Sequence, residues 1–397
     1  QKTFWGIYSL QVLSTCLAVT LYIVVCLLVP SMNNPIAYIL GFSLLSRGFD
    51  ISWLFQGLED FKKITARNTM VKLLGVVSIF LFIKKPSDLY LYIILLVAYD
   101  LLGQLSMWLP AREHIRKPHL DIAYAKEHIK PVILLFLPQI AISLYITLDR
   151  TMLGGLSSTK DVGIYDQALK LLNILLTLVT SLGSVMLPRV SNLLSSGNQK
   201  AVNKLHEMSF LVYNLVIFPM IAGILIVNKD FVNFFLGQDF QDARYAIAIM
   251  VFRMFFIGWT NIMGIQILIP HNRNREFMLS TTIPAIFSVG LNLLLIPPLG
   301  YIGASIVSVA TEGLVWLIQL YFTRSYLKEV KILPSMLKIF LAALLMYGAL
   351  YSVQAFMHFS SVVNVLIYAV LGFLVYGGLV LVLRVLDFQE LKSVLKK

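Results

Sequence analysis

The chain has 397 residues, of which 58% are hydrophobic and 13% charged, and its mean hydropathy is +0.81. This composition leaves too little polar surface for a soluble globule of this length and predicts an all-α membrane protein. The net charge of +12 would suggest nucleic-acid binding in a soluble protein. Here most basic residues lie in loops that face anionic lipid, so we expect no nucleic-acid partner.

Twelve apolar segments are long enough to cross a bilayer, for which a helix needs about 20 residues. In chain order they are 7–29, 36–56, 68–83, 89–109, 131–153, 163–187, 207–227, 243–269, 277–297, 301–323, 335–356 and 361–384. The sequence therefore predicts a polytopic bundle of twelve helices. An even number of crossings places both termini on the same side of the membrane.

Lys and Arg alternate from one loop to the next. The loops on one side, together with both termini, contain 21 of these residues, whereas the opposite loops contain 4. Basic flanks stay on the cytoplasmic side during insertion. We therefore expect both termini to be cytoplasmic. The external loops are short, so the function is expected to reside in the membrane.

The longest polar interval is 110–130, whose amphipathic mixture predicts a cytoplasmic linker helix at the membrane surface. Cys16 and Cys26 lie in one apolar stretch and are interpreted as small hydrophobic residues, without a disulfide or a metal site. Pro138 and Pro219 fall inside predicted helices. They are either packing kinks or bending points for a transporter that changes its open side.

Ionisable residues occur inside or close to the apolar segments, where a charge costs about 2.5 to 3.5 kcal/mol at the centre of a helix. The basic ones are Arg47, Lys72, Arg150, Lys170 and Arg253. The acidic ones are Asp50, Asp100, Asp149, Asp166 and Glu312.

The spacing of these charges predicts two pairs that share a helix face, Arg47 with Asp50 and Asp166 with Lys170. Asp149 and Arg150 are adjacent, so their side chains should point in different directions. Individual charges can be explained as ion pairs between helices. So many charges in several helices nevertheless favour a continuous polar interior over separate dry ion pairs.

A cationic interior suits an anionic substrate, since Arg can hold a phosphate through two parallel hydrogen bonds. The five basic residues are therefore candidates for substrate binding. The five acidic residues are candidates for gating or for coupling to H+ or Na+. The sequence has no Gly-rich phosphate loop, His-Glu-x-x-His, Cys pair or Asp-x-Asp motif, so we expect neither an enzyme nor a bound metal or cofactor.

The segment 53–68, with the sequence Trp-Leu-Phe-Gln-Gly-Leu-Glu-Asp-Phe-Lys-Lys-Ile-Thr-Ala-Arg-Asn, resembles the segment after the fourth helix of Wzx-type polysaccharide flippases. These belong to the multidrug/oligosaccharidyl-lipid/polysaccharide exporter superfamily. Further segments resemble the family and follow in the order in which the family has them. They are 149–154, 162–168 with Lys170, 187–191, and 299–304 running to Glu312. The resemblance extends over essentially the whole chain.

The resemblance implies 14 helices in two pseudo-twofold-related bundles around a central cavity. This chain has twelve, as if the first two were missing, and it begins at Gln1 without an initiator Met, so we expect a fragment. On this mapping, 1–115 is the remainder of the N-terminal bundle and 116–130 is the linker helix. The C-terminal bundle is then 131–325, and 326–397 comprises two appended helices with a basic tail.

The implied activity is alternating-access transport of an undecaprenyl-diphosphate-linked oligosaccharide from the inner to the outer leaflet of the bacterial cytoplasmic membrane. The transported unit would serve capsule or O-antigen synthesis. The partners of the protein would be membrane lipid and a polysaccharide polymerase machinery. One alternative is an ion-coupled drug or metabolite exporter of the same superfamily. Another is a membrane polymerase or glycosyltransferase, which would need a long catalytic loop.

Overall fold

The computed structural model describes residues 2–115, 132–133, 136–137, 140, 143, 147–354 and 359–385. Within these ranges the regular structure is helical, without a β-strand, as the all-α prediction requires. The predicted linker helix at 116–130 and Pro138 lie outside the described residues, as do ten of the 23 residues of the span predicted at 131–153. The chain divides into two compact units, Gln1–Ile133 and Leu134–Lys397.

The first unit is built from three long helices and three shorter ones. They are α1 (Lys2–Leu28), α2 (Pro35–Gly48), α3 (Ser52–Gly57), α4 (Phe61–Phe82), α5 (Leu89–Ser106) and α6 (Trp108–Ala111). Helix α2 packs against α1 and α5, and α4 packs against α5. An Asn34 side chain that accepts from the Ala37 amide fixes the start of α2.

The span predicted at 36–56 is wrong as a single helix, because the chain breaks between α2 and α3. Gln11 of α1 fills the break: its Nε2 donates to the Arg47 and Asp50 carbonyls at 2.8 Å each. The Trp108 Nε1 donates to the Phe49 carbonyl at 3.0 Å. These side chains replace helical hydrogen bonds that a chain in or near lipid cannot leave open.

The segment most typical of flippases, 53–68, has a structural role at this break. The Trp53 Nε1 donates to the Gln11 Oε1 at 3.0 Å, which holds the bridging side chain in place. Glu59 adopts a positive φ of 59° and Asp60 caps α4. The segment therefore makes the tight turn from α3 into α4.

The second unit contains the longer helices. They are α7, of which 147–156 is described, α8 (Thr159–Ser195), α9 (Gln199–Phe235), α10 (Ala243–Met250), α11 (Arg253–Thr260), a π-helix (Asn261–Leu268), α12 (Asn274–Leu327), α13 (Leu333–Gln354) and α14 (Ser361–Val382). Helices α13 and α14 both pack against α9.

Helix α12 folds back on itself at Gly300, where φ is 53° and ψ is −132°. Glycine adopts this conformation without the penalty that a Cβ brings. A Cβ at Gly303 would collide with the backbone of Leu295, so the two arms touch near the turn. Far from the turn, the Gln319 Nε2 donates to the Ser280 Oγ at 3.1 Å. The arms are thus the two antiparallel spans predicted at 277–297 and 301–323.

Pro219 interrupts the hydrogen bonding of α9, because proline has no N–H to offer the Leu215 carbonyl one turn earlier. The Tyr376 hydroxyl of α14 donates to that carbonyl at 2.8 Å. The open carbonyl at the kink is therefore satisfied by a side chain of a neighbouring helix, α14.

Within the described residues, eight helices are long and apolar enough to cross a membrane, or nine if the bent α8 is counted. Helix α12 contributes two arms, and α2 with α3 make a broken span. Eleven of the twelve predicted segments therefore coincide with helices, and ten of the 23 residues of the twelfth, 131–153, lie outside the described residues.

Replacing Gly303 by Ala should destabilise the helical hairpin, because the new Cβ would overlap the Leu295 carbonyl. We expect a loss on the order of 1 to 3 kcal/mol, as for other overpacked cores. The measurement is thermal unfolding of the purified protein in detergent. Gly290→Ala on the same helix, where a Cβ would meet open space, is the matched control. Equal melting temperatures for the two variants would contradict the close approach of the arms.

Tyr376→Phe should cost on the order of 1 kcal/mol, because it removes the donor from the Leu215 carbonyl. In a Pro219→Ala background the loss should be smaller, since residue 219 then offers its own N–H. Thermal unfolding of the wild type, the two single variants and the double variant gives this double-mutant cycle. The control is Tyr351→Phe, whose ring is exposed on α13. If Tyr376→Phe costs the same in both backgrounds, the hydroxyl does not compensate for the proline.

Candidate functional site

A cluster of two cations around one carboxylate lies between α7 and α8. The Arg150 Nη2 is 2.9 Å from the Asp166 Oδ1, and the Lys170 Nζ is 2.7 Å from the Asp166 Oδ2. The predicted pair of Asp166 and Lys170, one helical turn apart, is thus confirmed, and Arg150 joins it from α7. The cluster carries a net positive charge.

The cluster is open to the surface of the second unit. The Lys170 side chain is 60% exposed and that of Arg150 is 39% exposed. The Arg150 Nε is itself buried and has no hydrogen-bond partner among the described residues. One guanidinium and one ammonium group that are both partly accessible suit an anion with several oxygens, such as a diphosphate.

The neighbouring residue, Asp149, points the other way into the core, as predicted for adjacent positions, and is 2% exposed. Its Oδ1 accepts from the Asn292 Nδ2 at 2.6 Å and its Oδ2 from the Tyr165 hydroxyl at 3.2 Å. Two neutral donors on α8 and α12 therefore hold this carboxylate, which has no ion-pair partner within hydrogen-bonding distance among the described residues.

A buried ion pair lies close to Asp149. The Arg253 Nη2 is 3.3 Å from the Glu312 Oε1, and the two side chains are 3% and 5% exposed. Both are near enough to Asp149 to act on it electrostatically. Two carboxylates and one guanidinium thus share a region of low dielectric constant. Gain or loss of one positive charge there changes the electrostatic free energy by a large amount.

This buried group has the ligand chemistry of a hard monovalent cation or a proton. Carboxylate oxygens are present, and the Asn292 Oδ1 has no hydrogen-bond partner in the described part of the chain. Within the same ranges no three His, Cys, Asp or Glu side chains are grouped as ligands for a metal ion.

The four candidates in the first unit do not form such a cluster. Arg47 is exposed at the end of α2 and Lys72 is exposed on α4, and neither forms an ion pair with a described residue. The predicted pair of Arg47 and Asp50 is wrong, because α2 ends before Asp50. Asp50 instead accepts from the Ser52 amide at 2.9 Å, and Asp100 accepts from the Ser46 hydroxyl.

Sequence reasoning missed the neutral partners of the buried charge. Tyr165 and Asn292 carry no charge, yet both contact Asp149. A signal was available for each: Tyr165 lies in the flippase-like segment 162–168, and Asn292 interrupts the apolar span 277–297.

A second set of missed contacts joins α9 to α11 and the π-helix. The pairs are Ser209 with Gln266, Tyr213 with Asn261 and Asn214 with Trp259, at 2.7, 2.6 and 3.0 Å. Small and polar side chains commonly join helices in membranes in this way.

Comparison with known proteins gives consistent matches. The family model described as "Polysaccharide biosynthesis protein" matches residues 1–194, and the model MatE matches 135–297. A protein of Escherichia coli (strain K12) named "Putative O-antigen transporter" is 26% identical over 81% of this chain and 78% of its own length. The "Probable low-salt glycan biosynthesis flippase Agl15" of Haloferax volcanii is 21% identical over 64% of this chain and 53% of its own length.

A solved structure shares the fold. "Lipid II flippase MurJ, inward closed conformation" superposes with a TM-score of 0.68 over 94% of this chain and 82% of that protein, at 14% sequence identity. The family models, the relatives and this fold agree with the resemblance to flippases. The chain belongs to the multidrug/oligosaccharidyl-lipid/polysaccharide exporter superfamily.

Proposed function

We propose that this protein is a flippase that moves an undecaprenyl-diphosphate-linked oligosaccharide from the inner to the outer leaflet of the bacterial cytoplasmic membrane by alternating access. The observation that carries the proposal is the cluster of Arg150, Asp166 and Lys170, in which one carboxylate holds two accessible cations. The relatives named as an O-antigen transporter and a glycan flippase support it.

The cluster can exchange its internal anion for the substrate. In the absence of substrate, Asp166 keeps the two cations together and limits the cost of having them near lipid. On binding, the Arg150 guanidinium takes phosphate oxygens with its planar fork, and Lys170 contributes a point charge. Both cations have a partner before and after the exchange. The lipid tail stays in the bilayer while the diphosphate and the sugars cross.

The buried acids are placed to supply the driving force, because transfer between leaflets alone is nearly neutral in free energy. Asp149 is adjacent to Arg150 in the chain and lies close to the pair of Arg253 and Glu312. Binding of H+ or Na+ at Asp149 changes the charge beside the cation cluster. Ion occupancy and affinity for the diphosphate are thereby coupled.

The remaining parts of the proposal concern the cell. Both termini lie in the cytoplasm, since 21 basic residues flank the spans on that side against 4 on the other. The translocated unit is then consumed outside by a polysaccharide polymerase, for a capsule or an O-antigen.

Arg150→Gln should lower transport of the lipid-linked oligosaccharide in proteoliposomes by about tenfold or more, because a charge-assisted contact contributes about 1.5 to 3 kcal/mol. Arg150→Lys keeps the charge without the planar fork and should fall between Arg150→Gln and the wild type. Transport is measured as the fraction of labelled substrate that becomes accessible on the far leaflet.

The matched control for this series is Lys229→Gln, which removes an exposed cation of α9 outside the cluster. It should transport at the wild-type rate. Wild-type transport by Arg150→Gln, with normal insertion, would rule out a role of the cluster in holding the diphosphate.

Asp149→Asn should separate driven transport from exchange. It preserves the shape of the side chain and removes the charge that H+ or Na+ would neutralise. We expect loss of accumulation under an imposed H+ or Na+ gradient, while exchange of labelled for unlabelled substrate without a gradient continues. Gradient-driven accumulation at the wild-type level would exclude Asp149 as the coupling group.

A further inference from the structure

A cavity of about 570 Å³ opens where α8 begins, against the segment 238–242 that follows α9. It is separate from the charged cluster and plays no part in the mechanism above. Its polar and aromatic lining comes from Lys160, Gln238, Asp239, Phe240, Gln241 and Asp242. The loop charges predict that this end of the unit faces the outside of the cell.

The charges of the lining disfavour an anion. Lys160 lies 3.8 Å from Asp242, which offsets its charge, and Asp239 adds a further negative charge. A metal ion is also disfavoured, since the described residues contain no group of three ligating side chains. A neutral polar ligand fits the remaining chemistry.

The side chains of Gln238, Gln241 and Phe240 indicate which class of neutral polar ligand would bind here. The side chains of Gln238 and Gln241 are exposed and make no hydrogen bond to other described residues, so their donors and acceptors are available. The edge of the Phe240 ring lies 3.6 Å from where a Cβ of Gly163 would stand, which is an ordinary van der Waals distance, so the ring borders the cavity beside the start of α8. Amides and carboxylates that bind hydroxyls, beside an aromatic ring that packs on C–H groups, suit a sugar.

The cavity shares one face of α8 with the cation cluster. Gly163 lines the cavity, and Asp166 and Lys170 follow it at positions i+3 and i+7, which lie on the same side of a helix. At 1.5 Å per residue, Gly163 and Lys170 are about 10 Å apart along the axis. This separation is comparable to the reach of one or two sugars from a diphosphate.

We propose that this cavity is a saccharide subsite that binds the sugars beyond the first one while the diphosphate is held by Arg150 and Lys170. The inference rests on the proposed flippase function and adds a place where the glycan itself is recognised. It makes the transport rate depend on glycan length through residues that do not contact the diphosphate.

The test uses the full chain in proteoliposomes and two probes. One is the lipid-linked oligosaccharide extracted from the source organism, and the other is the same lipid trimmed by glycosidases to its first sugar. In Gln238→Ala/Gln241→Ala, the intact probe should cross about fivefold more slowly or worse, as expected for the loss of one or two hydrogen bonds. The trimmed probe should cross at the wild-type rate, which also shows that the variant is folded.

Phe240→Leu keeps apolar bulk but removes the ring and should give the same selective loss. Gln199→Ala, at the opposite end of α9, is the control and should transport both probes normally. Equal slowing of both probes, or of neither, would overturn the subsite while leaving the flippase function intact. Failure of the wild-type protein to transport either probe would overturn the flippase function and the subsite with it.

Discussion

The structure depends on one constraint: a chain in lipid has no water to satisfy its polar groups, so each must find a partner within the protein. At the break between α2 and α3, Gln11 and Trp108 donate to the open carbonyls. At Pro219, Tyr376 of another helix does the same. Irregular backbone is thus tolerated where a side chain from elsewhere replaces the missing hydrogen bond.

The same constraint divides the charges of the second unit into two layers with different chemistry. Arg150, Asp166 and Lys170 are open enough to exchange partners with a hydrated anion. Asp149 is closed off and held by neutral donors, so a small cation or a proton is the ligand that changes its state with the least rearrangement. Two adjacent residues of α7, facing opposite ways, connect the layers, and in the proposed mechanism they form the route by which ion binding and substrate binding are coupled.

Much of this could be predicted from the sequence, since hydropathy locates the spans and the gap at 298–300 predicts the turn of α12. The pair of Arg47 and Asp50 failed because the i,i+3 argument holds only while the helix continues, and nothing in the local hydropathy signals a break at Phe49. Contacts such as Asn292 with Asp149 join segments 143 residues apart through a neutral side chain. Charge and periodicity contain no information about which distant neutral group completes such a site.

The most direct test of the account is the leaflet on which the lipid-linked oligosaccharide resides when the gene is deleted from its host. The proposed flippase function predicts that complete units accumulate on the cytoplasmic leaflet and that surface polysaccharide is lost, and that a plasmid copy of the gene reverses both effects. Complete units that reach the outer leaflet unpolymerised, or surface polysaccharide at its normal level, would contradict it.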